Sequence, residues 1–216
     1  MTVTTREPCR ASGAEVAAGA SAPTGASALT GAILAGGDST RMGRDKAGVL
    51  LAGRSLLEHV HGVVAPLCDE VLVVTRDEHR GTQPVPSGCR VVTDALPGRG
   101  PLVGIHAALA AAATDRVLVV ACDMPWLEPL LLRAMIDEGA GDVVIPRTGR
   151  GWEPLHAVYH RRCLAAIEAV LARGAAPVAS FFDAVTVDAW DPARCREHDP
   201  EGRSCRGVNR PGDRPD

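Results

Sequence analysis

Short apolar runs recur along the chain at intervals that helical spacing fills. They fall at 31–34 (GAIL), 70–75 (EVLVVT), 90–93 (RVVT), 116–121 (RVLVVA), 142–146 (DVVIP) and 155–159 (LHAVY), with a weaker run at 185–188. Runs rich in β-branched residues and without polar alternation predict strands buried on both faces. Between them, Leu56, Leu57, Val60, Val63, Val64 and Leu67 follow helical spacing behind Ser55, a good helix cap. Leu50–Leu51 and Gly53–Arg54 predict a small turn before it. Further helices are predicted from about Gly104 through Ala113, from about Leu127 to Glu138, and from His160 to Arg173, the last closed by Gly174.

Strands alternating with helices of about 10–15 residues predict a three-layer α/β domain, a mostly parallel, Rossmann-like sheet with helices on both faces. In such sheets ligands bind beyond the carboxyl ends of the strands, where strand order reverses. That rule gathers three stretches at one mouth: the loop at 35–46, the loop at 94–104, and Asp123. Residues 1–28 are rich in Ala, Ser, Gly and Thr, lack periodicity and lack the apolar stretch of a secretory signal. Their composition predicts a disordered tail before a single domain at 29–216. From Pro192 onward the charges are mixed and Pro and Gly frequent, which predicts a segment that wraps the surface or frays.

Composition narrows the class. The 216 residues are 46% hydrophobic but only 3% aromatic, so the core is built from Ala, Val, Leu and Ile. A net charge of −3 argues against a general nucleic-acid binder, and no apolar run approaches the length that crosses a bilayer. Seven scattered cysteines without a C-x-x-C pair predict reduced thiols in a cytoplasmic protein.

The first loop carries the clearest chemistry. Gly31 to Lys46 reads GAILAGGDSTRMGRDK. The glycines let backbone amides approach an anion, and Arg41 and Lys46 add positive charge. Among the 23 basic residues Lys46 is the single lysine, a compact charge where every other position is the planar fork of arginine. A Walker A loop would need Gly-Lys-Ser/Thr, but Lys46 lies between Asp45 and Ala47. A dinucleotide fingerprint would need a G-x-G-x-x-G spacing that Gly36, Gly37 and Gly43 do not supply.

Asp123 ends a buried run and is followed by Met124 and Pro125, so it is placed either to hold a hard cation such as magnesium or to cap the next helix. Asp94 opens a Gly- and Pro-rich loop, as a ligand contact or as an ordinary turn residue. His156, on a strand, reads first as a packed residue rather than an acid–base group. Cys195, His198 and Cys205 offer three metal-ligating side chains, but without the spacing of a zinc site.

The stretch Leu34 to Lys46 resembles the L-A-G-G-x-S-x-R-M-G-x-D-K signature of the nucleotidyltransferase superfamily, and in its Met-Gly-x-Asp-Lys detail the molybdenum cofactor guanylyltransferases. Cys122–Pro125 resembles that family's metal-binding aspartate motif, 97–105 its second motif, and 153–159 its third, on the acceptor side of the cleft. Asn209 and Pro211 match the C-terminal Asn-Thr-Pro element in part, with Arg210 in place of threonine and Gly207 in place of an upstream asparagine.

The resemblance implies transfer of GMP from GTP to the terminal phosphate of molybdopterin, with release of pyrophosphate. It implies backbone contacts from Leu34, Ala35 and Gly36 to the nucleotide, a nucleotide contact from Asp94, magnesium on Asp123, and charge neutralisation by Arg41 and Lys46. Contact with other cofactor-biosynthesis proteins or with molybdoenzymes follows from the same likeness. A molybdopterin cytidylyltransferase or another small-molecule nucleotidyltransferase is the alternative within the superfamily. A non-catalytic nucleotide-binding chaperone is the alternative outside it.

Overall fold

The computed structural model describes residues 28–36, 49–76, 84–94, 100–174 and 177–208. The chain runs β1 (Leu29–Leu34), β2 (Leu50–Leu51), β3 (Arg54–Ser55), α1 (Leu56–Val64), β4 (Glu70–Thr75), β5 (Cys89–Thr93), α2 (Pro101–Ala111), β6 (Arg116–Ala121) and α3 (Pro129–Glu138). It continues through β7 (Val143–Thr148), β8 (Gly151–Trp152), β9 (His156–His160), α4 (Leu164–Leu171), β10 (Val187–Trp190) and α5 (Pro192–His198).

Local chemistry sets the helix starts. Ser55 and Glu58 form a reciprocal capping box on α1: Glu58 N–H donates to the Ser55 hydroxyl, and Ser55 N–H to the Glu58 carboxylate. Proline occupies the first turn of α2, α3 and α5, where its missing N–H costs nothing.

The main sheet has the order β10-β7-β9-β6-β1-β4-β5, with β8 paired beside β7. β1 pairs in parallel with both β4 and β6, β4 with β5, and β10 with β7. One core lies on each face. Ile33, Val73 and Val120 pack with Leu57, Val60 and Val64 of α1 and with Leu131, Leu132 and Met135 of α3. On the other face Ala32, Val74 and Val119 pack with Leu102, Ile105 and Leu109 of α2, Ile167 of α4, and Phe181. This is the expected three-layer, mostly parallel α/β architecture. At Gly31 the fit is close: a Cβ there would come within 2.5 Å of Val64 Cγ1 and 3.0 Å of Cys68 Sγ.

The structure departs from the sequence reading at three places. β9 is antiparallel to both β6 and β7. Parallel neighbours need a crossover of a dozen or more residues, and the short link at 149–155 allows only a return. The helix expected from His160 begins as a 3-10 turn (Arg161–Cys163) before α4. The segment from Pro192, expected to wrap the surface or fray, carries a helix that the sequence did not predict: α5, capped by the Asp191 carboxylate, which accepts from Ala193 and Arg194 N–H. Residues 1–27 of the expected tail lie outside the described residues. Among the described residues no helix is long and apolar enough to cross a membrane.

Candidate active site

Strand order reverses at β1. The chain proceeds from β1 to β4 and β5 on one side, then crosses to β6 on the other. The crevice beyond the carboxyl ends of β1 and β6 is therefore the switch point at which such sheets bind ligands.

Each strand end delivers an expected residue to this edge. Leu34 closes β1, paired with Val74 of β4 and Ala121 of β6. Ala35 N–H donates to Val74 O at 2.8 Å, holding the chain extended past the strand. Gly36 runs against the chain leaving β4; a Cβ on it would lie 3.1 Å from Arg76 N. Cys122 N–H donates to Leu34 O at 3.1 Å, and Asp123 follows, part-exposed. Asp94 N–H donates to Thr75 O at 3.2 Å, one residue beyond β5.

Because β5, β4, β1 and β6 are consecutive, Asp94 and Asp123 leave the sheet three strand spacings apart, about 14 Å. Leu34, Ala35 and Gly36 emerge between them. Arg41 and Lys46 lie outside the described residues, as do Asn209 and Pro211.

One alternative for Asp123 is resolved. α3 is capped by Glu128, whose carboxylate accepts from Leu130 N–H at 3.2 Å, so Asp123 is not the helix cap. The space beside its carboxylate is bordered by glycine: a Cβ on Gly207 would sit 3.5 Å from Asp123 Oδ1. A hard oxygen donor at a strand end, with no neighbouring side chain at 207, fits magnesium, which takes one or two carboxylates together with phosphates and water.

The stretch at 148–156 forms a polar buttress next to these strand ends. Glu153 is buried and accepts from the Thr148 hydroxyl at 2.6 Å and from Arg150 Nη2 at 2.9 Å. Arg150 Nη2 also donates to Cys205 O at 2.6 Å. His156 is fully buried, with Nε2 2.6 Å from Ser204 Oγ. Glu128 N–H donates to the same hydroxyl at 2.9 Å. Which of the two donates depends on the imidazole tautomer, and among the described residues the buried His156 Nδ1 has no hydrogen-bond partner. Burial pushes this imidazole down to about 4 from 6.5, although Glu153 and Asp199 pull the other way.

Within 199–208 the resemblance singled out only Gly207; Asp199, Ser204 and Val208 were not anticipated as part of the site. Asp199 accepts from Ser204 and Arg203 N–H, and Val208 N–H donates to Asp123 O at 2.7 Å. Ser204 and Val208 stand in a tail of mixed charge, and no spacing in the sequence marks them. Cys195, His198 and Cys205 do not converge on a metal centre; among the described residues no three His, Cys, Asp or Glu side chains gather as one.

A family model for the MobA-like NTP transferase domain matches residues 31–187. The chain belongs to this family. A "Probable molybdenum cofactor guanylyltransferase" of Pelotomaculum thermopropionicum is 43% identical over 157 residues, 72% of this chain and 75% of that protein. A "Molybdenum cofactor guanylyltransferase" of Desulfosudis oleivorans is 37% identical over 182 residues, 82% of this chain and 88% of the relative. Among solved structures, molybdopterin-guanine dinucleotide biosynthesis protein A from Archaeoglobus fulgidus superposes with a TM-score of 0.71 at 27% identity, covering 84% of this chain and 93% of that one. The resemblance carried by Leu34–Lys46 therefore holds at family level. The MobA-like match spans β1 to the start of β10, so it contains both strand ends of the switch point.

Proposed function

We propose that this MobA-like transferase is a molybdenum cofactor guanylyltransferase, moving GMP from GTP to the terminal phosphate of molybdopterin. The observation that carries the reading is the arrangement at the switch point: a glycine-bearing strand end at Leu34–Gly36 set beside Asp123, in a chain 37% identical over 182 residues to a relative named for this activity.

In the reaction an acceptor phosphate oxygen attacks the α-phosphorus of GTP. The bond from that phosphorus to the bridging oxygen breaks, and pyrophosphate leaves with the electron pair. Two anions must meet, so the protein's tasks are alignment and charge neutralisation. Ala35 and Gly36 offer backbone groups close to the nucleotide, and Asp94 holds it from the β5 side. Arg41 and Lys46 balance the triphosphate and the departing pyrophosphate. Asp123 holds magnesium, which supplies positive charge to phosphate oxygens when bound. Seven cysteines with no paired spacing support a cytoplasmic setting.

The test is a melting-temperature panel with magnesium and GTP, CTP, ATP or UTP at equal concentration. A ligand at a hundred times its Kd stabilises the native state by about 2.7 kcal/mol. The expected result is a shift confined to GTP, followed by pyrophosphate release when molybdopterin is added. A CTP-selective shift would reassign the base. GTP binding without pyrophosphate release would favour a non-catalytic binder.

A further inference from the structure

We infer that Ser204 is a positioning residue for the Asp123 carboxylate, acting through a strap at residues 199–208 that is latched beneath it. The inference rests on the proposed role of Asp123 as the metal ligand, and extends it to residues that never touch the metal.

The strap begins at the end of α5. Asp199 N–H donates to Cys195 O, and the Asp199 carboxylate accepts from Arg203 and Ser204 N–H, closing a tight turn. The turn drives the Ser204 side chain into the protein, where it is fully buried. There its hydroxyl accepts from Glu128 N–H at the start of α3 and meets His156 Nε2 at 2.6 Å on β9. One hydroxyl thus ties the strap to a helix cap and to a central strand. A second anchor follows at once, Arg150 Nη2 to Cys205 O.

From these two anchors the chain travels three residues to its last described contact, Val208 N–H on Asp123 O. Gly207 passes beside the Asp123 carboxylate. Asp123 is therefore held from two directions. Cys122 N–H on Leu34 O fixes it to β1, and Val208 fixes its own carbonyl. With the backbone pinned on both sides, the carboxylate has only its side-chain rotations left, which is the preorganisation a metal ligand needs. The buried His156 serves here as a fixed hydrogen-bond partner that holds the Ser204 hydroxyl in place.

The experiment uses the full chain and reads metal binding directly. Mn2+ is titrated in the presence of GTP and free Mn2+ is followed by electron paramagnetic resonance, for the native chain, Ser204→Ala, Arg150→Ala and Asp123→Asn. Melting temperature is measured on the same samples. The expected result is a Mn2+ Kd raised about tenfold in Ser204→Ala, the scale on which outer-shell partners tune metal sites. A smaller rise is expected in Arg150→Ala, with both variants folded. Should Ser204→Ala fail to fold, Arg150→Ala, whose side chain is 62% exposed, carries the test. If Asp123→Asn weakens Mn2+ binding while every folded strap variant binds as the native chain does, the strap inference is overturned alone. If Asp123→Asn itself leaves the Kd unchanged, the metal reading fails and the positioning role fails with it.

Discussion

The backbone amide of Cys122 donates to the carbonyl oxygen of Leu34 across 3.1 Å. This one bond extends the β1–β6 pairing past its last register pair, Leu34 with Ala121. The loop expected to cradle phosphate and the residue expected to hold magnesium therefore leave the sheet from a shared hydrogen-bonded frame. A shift of β1 relative to β6 would move both together.

Lys46→Ala should lower turnover by about a hundredfold, the usual scale for removing one charge-stabilising donor. Melting temperature should stay within a few degrees of the native value, because the glycine-rich sequence around Lys46 predicts a loop, where a lysine contributes little packing. Circular dichroism and a pyrophosphate-release assay on the same preparation decide it. Full activity, or a chain that has lost its helical signal, would contradict the assigned role.

Gly31→Ala tests the closeness of α1 to the sheet. The added Cβ meets Val64 Cγ1 at 2.5 Å and Cys68 Sγ at 3.0 Å, both in the packed layer on one face. Replacing glycine in a strand would otherwise help through backbone entropy, but forced overpacking costs about 1–3 kcal/mol and should win. Urea unfolding should show a lower midpoint with an unchanged slope. Adding Val64→Ala should recover less than the whole loss, since it opens a cavity while relieving the clash.

The strands were legible because their runs are uninterrupted and apolar: Glu70–Thr75 and Arg116–Ala121 match the observed β4 and β6 at both ends. Ser55 was legible because a capping box is a local event. The orientation of β9 was not read from its residues, although the short 149–155 link carried the information: seven residues cannot cross over a sheet. α5 was missed because none of its side chains is fully buried and Cys195 alone among its hydrophobic residues packs on the core, so no apolar period marks it; only Asp191–Pro192 signalled its start. The strap was illegible for a different reason. Ser204 earns its place through His156 and Glu128, 48 and 76 residues away, and a contact of that range leaves no pattern in a single chain.

Glu70→Gln tests a junction between β1, β5 and the chain after α2. Glu70 Oε1 accepts from the Thr30 hydroxyl at 2.8 Å and from Ala113 N–H at 2.7 Å, while Oε2 accepts from Arg90 at 2.9 Å. Glutamine keeps one acceptor and turns a donor toward another group. A loss of about 1–2 kcal/mol is expected, comparable to one charge-assisted bond. Salt should narrow the gap between native and variant, because the Arg90 side chain is half exposed and its attraction is screened. Paired denaturation curves at low and high ionic strength measure both effects.

His156 should make stability depend on pH in a window of its own. Burial holds its imidazole at about 4, against 6.5 when unfolded. Between those values the unfolded chain binds the proton and the folded chain does not, so stability rises with pH there and is lost as pH falls from 6.5 toward 4. The full difference is about 3 kcal/mol at one pKa unit per 1.36 kcal/mol. The carboxyls of Glu70 and Asp142 act in the same sense but in a lower pH window. Burial raises Glu70, but bonds from Ala113, Arg90 and Thr30 outweigh it; Thr186 N–H and its hydroxyl lower Asp142. Their contribution is present above about 4.5 and 3.8 and is lost only as pH falls below those values. His156→Gln, whose side-chain amide can still pair with Ser204, should therefore flatten the melting-temperature slope between pH 6.5 and 4.5 and leave the steeper loss below it. Equal slopes for the two chains would mean that another group titrates in that window and that His156 is not held neutral by its burial.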